Sequence, residues 1–428
     1  MFTQPDSQSV QKAYEAARAR YADVGVDTDK ALHHLAAVAV SVHCWQGDDV
    51  AGFEVRETGV GSGGIMATGN YPGAARNGEE LRADLDKAFS LIPGVLRCNL
   101  HAIYAETDGK RIERDQLQPN HFSAWIDWAV KHGIALDFNP TYFAHPMADS
   151  GYTLGSRDET VRQFWIRHGI ACRRIAEAMG RAQNSPCVIN HWVPDGAKDH
   201  PVDRWGPRER LAESLDTILA ADVDRKYCKD SVESKLFGIG SEDYVVGSHE
   251  FYMGYGLTQG IMICFDMGHF HPTETISDKL SSLMTFQDEV LLHVSRGVRW
   301  DSDHVVTFND DVKRVFHELV RGNALEQTHV ALDFFDASIN RIGAWVIGTR
   351  ATLKAALYAL LEPTVQLREM AHADDLAGKL ALLEELKSYP FGAVWDYHCL
   401  KHNAPVGPAW LDDMYAYDRM VIRNRLNP

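Results

Sequence analysis

The chain has 428 residues, of which 45% are hydrophobic and 24% charged, the proportions of a compact folded protein rather than a disordered or coiled-coil one. Fifty-nine Asp and Glu against 43 Lys and Arg give a net charge of -16, which repels phosphate backbones and anionic lipid headgroups and argues against a nucleic-acid partner. No apolar run approaches the ~20 residues of a membrane span, and residues 1–10 lack a basic-then-apolar leader, so the expected location is the cytoplasm.

Val10, Ala13, Ala16, Ala17 and Tyr21 recur at helical spacing and Gly25 follows as a stop, predicting a helix over Ser7–Asp23 within an N-terminal segment, residues 1–35. Eight short apolar segments then read as strands: Ala37–His43, Val95–His101, Ile134–Asn139, Cys187–Trp192, Ser231–Lys235, Ile261–Asp266, Glu289–His293 and His329–Asp333. Amphipathic stretches such as Glu79–Leu91 and Glu159–Met179 fill intervals between them, as crossover helices between parallel strands would. A closed (β/α)8 TIM barrel over residues 36–345 is the expected fold, with a doubly wound open sheet as the alternative. Beyond it, residues 346–428 read as a helical extension, with helices at Arg350–Leu361, Thr364–Leu386 and Pro408–Arg425. Its apolar residues cover either the chain's own barrel or a neighbouring subunit.

Seven of the eight strands end in His, Asp, Asn or Lys, and the C-terminal strand ends of such a barrel form its active-site mouth. Glu233 and Lys235, two apart on one strand, face the same side, where an unpaired charge is costly; a carboxylate metal ligand beside a lysine that polarises a substrate oxygen answers this, as would a simple ion pair. In FDMGHFH, Asp266 and His269 flank a glycine that permits a sharp turn, so carboxylate and imidazole can converge on a cation; His271 is expected in the loop or behind the ligands. Asp301 and Asp303, following Trp300, repel each other unless a proton or cation lies between them. With His293 and Asp333 the set reaches seven oxygen or nitrogen donors, enough for two divalent ions. This mixture suits Mn²⁺, Mg²⁺, Co²⁺ or Zn²⁺ in a Lewis-acid role. The seven cysteines are scattered singly, without a C-x-x-C pair, and read as reduced, mostly buried thiols.

His43, Trp45, His101, Asn139, His191 and Trp192 also lie at or beside strand ends, where they would line a pocket for a small polar ligand. The glycine-rich stretch 59–73 lacks the strand and helix of a dinucleotide fingerprint and is expected to be a lid or loop. A metal-dependent hydrolase, or a barrel in which ions only hold strands together, would share the ligand set.

The motifs VHCWQGDDV (42–50), ATGNYPGAARN (67–77), NLHAIY (99–104), VESKLFGIG (232–240), GHFHPTE (268–274), VRWDSDHVV (298–306) and LDFFDASINR (332–341) resemble those of the L-rhamnose isomerases, nearly end to end. The resemblance implies a homotetramer of barrels related to xylose isomerase, Mn²⁺ or a similar ion, and conversion of L-rhamnose to L-rhamnulose in rhamnose catabolism. It places His269, Asp301 and Asp303 on a catalytic ion and Glu233, Asp266, His293 and Asp333 on a second, with Asp336 the rival of Asp333. Lys235 and His101 would contact sugar oxygens and Trp192 would form a pocket wall. Direct hydride shift between C2 and C1 is the implied chemistry; an enediol route, or another aldose as substrate, is the alternative.

Overall fold

The computed structural model describes residues 2–54, 67–238, 240–299 and 301–426; part of the expected lid, residues 59–66, and Trp300 lie outside the described residues. Eight parallel strands close a barrel: β1 (Ala39–His43), β2 (Val95–His101), β3 (Ala135–Asn139), β4 (Cys187–Trp192), β5 (Cys228–Glu233), β6 (Met262–Asp266), β7 (Val290–Val294) and β8 (Thr328–Leu332). Each strand pairs with its neighbours in sequence, and β8 closes on β1 with Val330 opposite Val40. Closure excludes the doubly wound sheet.

The two-residue period of the strands sorts their side chains. Val40, Val42, Leu100, Phe138, Ile189, Phe265 and Leu292 turn outward and are buried beneath the helices. The alternate set includes Ser41, Asn99, Asp137, Asn190 and Ser231, all buried, and lines the interior together with a small apolar cluster of Val188, Met262, Cys264, Leu291 and Ala331. A helix follows each strand, from Gly78–Phe89 after β1 to Arg341–Leu360 after β8. Several start on side-chain caps: Asn77 accepts from the Glu80 amide at 2.9 Å, and Asp158 from that of Thr160 at 2.8 Å.

The expected N-terminal helix is present at Ser7–Ala22, but a second, Thr28–Ala37, capped by Asp27, occupies the start assigned to the first strand. The fifth strand runs over 228–233 rather than 231–235. Its polar beginning is explained by Asp230, which turns outward and pairs with Arg173 at 2.8 and 3.0 Å, both side chains 1% exposed. The helix expected over 364–386 is broken: Asp374 adopts a left-handed φ of 57°, and Asp375 caps a new helix, Leu376–Leu386. A further helix, Phe391–Lys401, was not expected. No helix among the described residues is long and apolar enough to cross a membrane.

Candidate metal centre and sugar pocket

The inward-facing side chains at the strand ends are His43, His101, Asn139, Trp192, Glu233, Asp266 and His293, and Asp333 follows directly after β8. Glu233, Asp266, His293 and Asp333 form one group whose ligand atoms lie within 4.8 Å of one another; Asp266, His269 and Asp301 form a second. Asp266 therefore belongs to both. Asp303 lines the cavity that opens above these groups but is in neither of them; its backbone takes a left-handed φ of 46° as the chain leaves the mouth. Asp333 rather than Asp336 sits in the cluster, since Asp336 turns its carboxylate to the Ser338 amide at 2.8 Å.

The surroundings hold these groups in place. His269 Nδ1 lies 2.8 Å from the Ser234 carbonyl and donates to it, which leaves Nε2, 3.3 Å from Asp301 Oδ2, as the free donor atom. Ser295 Oγ donates to Asp266 Oδ1 at 2.9 Å, and the Trp45 indole donates to Asp333 Oδ1 at 3.0 Å. Asn190 donates to Glu233 Oε2. Gly268 earns its place by space rather than by an unusual turn: a Cβ there would lie 2.8 Å from Asp301 Oδ1.

Lys235, expected on the strand, lies beyond its end, where Nζ reaches Asp301 Oδ2 at 2.5 Å and sits 5.0 Å over the Trp192 ring. Burial would lower the Lys235 pKa, but Asp301 beside it outweighs this and raises it, so the ammonium persists. Burial raises the carboxyl of Asp301, yet His269 and Lys235 bring it below the usual carboxylate range. At Asp303, burial and the neighbouring Asp301 and Asp333 act together and push the carboxyl well above that range. His269 and His293 rise well above the imidazole range: at His269 the surrounding carboxylates, Asp266 and Asp301 foremost, outweigh its burial, and at His293 Cys264 and then Glu233 and Asp333 do.

The cluster thus concentrates negative charge that protons or cations must balance. Glu233 Oε1, Asp266 Oδ2, Asp301 Oδ1 and both nitrogens of His293 are buried without a hydrogen-bond partner. Hard oxygen and imidazole groups gathered this closely fit a divalent cation, although His269 Nδ1 also lies 3.0 Å from Glu233 Oε1 and His293 Nδ1 3.4 Å from Glu233 Oε2.

Above the cluster opens a cavity of about 650 Å³, walled by Trp45, His101, Phe143 and Trp192 with Lys235, His269 and Asp303 at its base. That is room for a monosaccharide between aromatic faces and polar groups. His101 is held by Thr141 at 3.1 Å, and burial lowers its pKa to about 4, so it is neutral near pH 7. His43 does not line the cavity: its Nε2 is engaged by the Phe334 carbonyl and its ring backs Trp45. His191 faces Asp230 and His271 lies exposed in its loop. A larger cavity, about 1140 Å³, opens at the opposite end of the barrel and holds none of the expected site residues.

Three contributors escaped the sequence reading. Asn190 and Ser295 carry no distinctive spacing. Cys264 did carry a signal, lying two residues before Asp266 and hence on the same strand face.

The L-rhamnose isomerase (RhaA) family model matches residues 8–425. The chain is 57% identical over 417 residues to the L-rhamnose isomerase of Rhodopirellula baltica, covering 97% of each, and 54% identical to that of Mannheimia succiniciproducens, covering 98% of this chain and all of the relative. Among solved structures, the 3-keto-D-glucoside 4-epimerase YcjR of E. coli aligns at a TM-score of 0.45 and 13% identity, over 67% of this chain and 99% of that one.

Proposed function

Since this chain belongs to the L-rhamnose isomerase family of aldose–ketose isomerases, we propose that it interconverts L-rhamnose and L-rhamnulose in L-rhamnose catabolism, with two divalent ions per subunit. The observation that carries this is the pair of ligand groups sharing Asp266 directly beneath an aromatic-walled cavity. Manganese is the preferred ion, with Zn²⁺, Co²⁺ and Mg²⁺ able to meet the same oxygen and nitrogen donors.

Glu233, Asp266, His293 and Asp333 would hold one ion; His269 and Asp301, with Asp303 completing the set, would hold the other. Bound there, the ions supply Lewis acidity to the two sugar oxygens next to the reacting carbons. The chain's own residues do the rest. Trp45 and Trp192 stack on the open-chain sugar and exclude water. Neutral His101 offers a hydrogen bond to a sugar hydroxyl without competing for its proton. As hydride moves from C2 to C1, negative charge grows on O1, and the Lys235 ammonium at the cavity base would stabilise that charge. Asp303, once ionised, is suited to accept the proton that O2 loses, because burial and the neighbouring Asp301 and Asp333 make its carboxylate more basic than an ordinary one.

We further assign the protein to the cytoplasm as a homotetramer. Supporting the assembly, Val365, Leu376 and Leu380 of the C-terminal helices are 71%, 59% and 60% exposed, apolar surface that a neighbouring subunit would cover. The test of function is ketose formation from a panel of aldoses with each of the four ions. L-rhamnose is expected to turn over fastest; a consistently better aldose would transfer the same chemistry to another sugar.

A further inference from the structure

Behind the sugar cavity, one guanidinium ties three of the barrel's mouth loops together. Arg114 stands in the loop that follows β2, its side chain 1% exposed. Nε and Nη2 donate to the two carboxylate oxygens of Glu54, in the loop after β1, at 2.7 and 2.8 Å. Nη1 donates to the carbonyls of Thr141 and Phe143 at 2.7 and 2.5 Å, and Nη2 to that of Ala144 at 3.0 Å, all in the loop after β3. All five N–H donors of the guanidinium are used in this way. The Arg114 carbonyl takes part too: it accepts from His168 Nδ1 at 3.0 Å, while His168 Nε2 accepts from the Thr141 amide at 3.0 Å. Burial lowers the His168 pKa to about 3, so the ring stays neutral and keeps one donor and one acceptor.

The residues held in this way build one wall of the cavity. Thr141 Oγ1 lies 3.1 Å from His101 Nδ1. Phe143 lines the cavity, its ring 5.6 Å from that of His101 and 5.5 Å from that of Trp192. Ala144 adopts a left-handed φ of 51°, costly for a residue with a Cβ, and the Arg114 bond to its carbonyl helps to hold it there. We propose that Arg114 is a positioning residue for the isomerisation: with Glu54 and His168 it fixes the His101–Phe143 wall against which the sugar is seated, without touching the sugar itself. The ligand groups and Lys235 belong to β5–β8 and the segments that follow them, so the clamp bears on the seating of the sugar rather than on the ions. An interaction made equally with bound substrate and transition state shows in KM rather than in kcat. This rests on the reading of the cavity as a sugar pocket.

The test compares the full-length, Mn²⁺-loaded protein with Arg114→Lys, which keeps the charge but loses the planar fork. Amide hydrogen exchange over residues 141–145 should quicken and the bound metal should be unchanged. KM for L-rhamnose should rise about tenfold, with kcat within about threefold of the unaltered chain. Should that variant not fold, Glu54→Gln, which gives the fork a neutral partner, should raise KM about threefold in the same pattern. Arg173→Lys, at the equally buried Asp230 pair outside the mouth, should lower stability and leave KM unchanged; a KM rise of equal size there would reduce Arg114 to general support of the fold and overturn the proposal. So would unchanged exchange, unchanged KM or a loss confined to kcat in folded Arg114→Lys. An unaltered, metal-loaded chain that isomerises no aldose strikes the sugar-pocket reading instead, and exchange over residues 141–145 then decides the clamp.

Discussion

His269 Nδ1 donates to the main-chain carbonyl of Ser234 across 2.8 Å, one residue past the end of β5. The bond fixes the tautomer and turns Nε2 toward Asp301. A ligand loop is thereby tied to a neighbouring strand end by backbone rather than by another mobile side chain. His269→Ala is expected to retain the fold, to lose one of two bound ions per subunit by elemental analysis, and to reduce turnover by at least about 100-fold. Two ions retained with near-normal turnover would remove His269 from the ligand set.

Lys235 is assigned to charge developing during reaction rather than to substrate binding. Lys235→Met should lower kcat by about 10²- to 10³-fold with a much smaller change in KM. Lys235→Arg should rescue little, because a planar fork replaces a point charge already seated between Asp301 and the Trp192 face. A defect confined to KM would recast Lys235 as a binding group.

Hydride shift and enediol chemistry differ in what happens to the migrating hydrogen. Isomerisation in D₂O should give L-rhamnulose with little deuterium at C1, measured by mass spectrometry or NMR. Extensive labelling there would favour proton transfer through solvent.

Two buried carboxylates give stability opposite pH dependences. Burial would raise Asp230, but its bonds to His191 and Arg173 outweigh that and hold it below the usual range. Its contribution is therefore present above the unfolded value of about 3.9 and is lost as pH falls through the folded value. Asp230→Asn leaves Arg173 buried beside a neutral group and should cost about 3–5 kcal/mol at neutral pH in denaturant unfolding. It should also flatten the acid limb; an unchanged acid limb would assign acid unfolding to other groups.

Asp48 behaves in the opposite sense. Burial pushes it up to about 7, although it accepts from the Tyr104 hydroxyl and the Gly52 amide, both at 2.8 Å. The folded state thus binds the proton more tightly than the unfolded state, and stability declines as pH rises from about 4 through 7. An amide fits the same place, accepting from Gly52 and donating to Tyr104. The Tm difference of Asp48→Asn from the unaltered chain should be more favourable at pH 8 than at pH 5, and the reverse order would contradict it.

The barrel was legible because most strands join an outward apolar set to a polar residue at or just past their end, as Val40 and Val42 do with His43. Boundaries were less so. Cys228–Asp230 reads as loop in sequence because the distant Arg173 that justifies Asp230 is invisible there. The break at Asp374 was hidden for a related reason: Asp375 acts as a cap only once the preceding residue turns left-handed. At the mouth, residue types announced a cation site, but the sharing of Asp266 between two groups and the offset of Asp303 depend on loop geometry.

The strand-end acids and imidazoles are proposed to hold cations without which the sugar does not react. This is tested by stripping the full-length protein with a chelator, confirming its fold by circular dichroism, and following ketose formation from L-rhamnose before and after Mn²⁺ is restored. Negligible turnover is expected in the folded, metal-free protein, with recovery on addition of two equivalents per subunit. Full turnover by protein shown to be free of metal would contradict it.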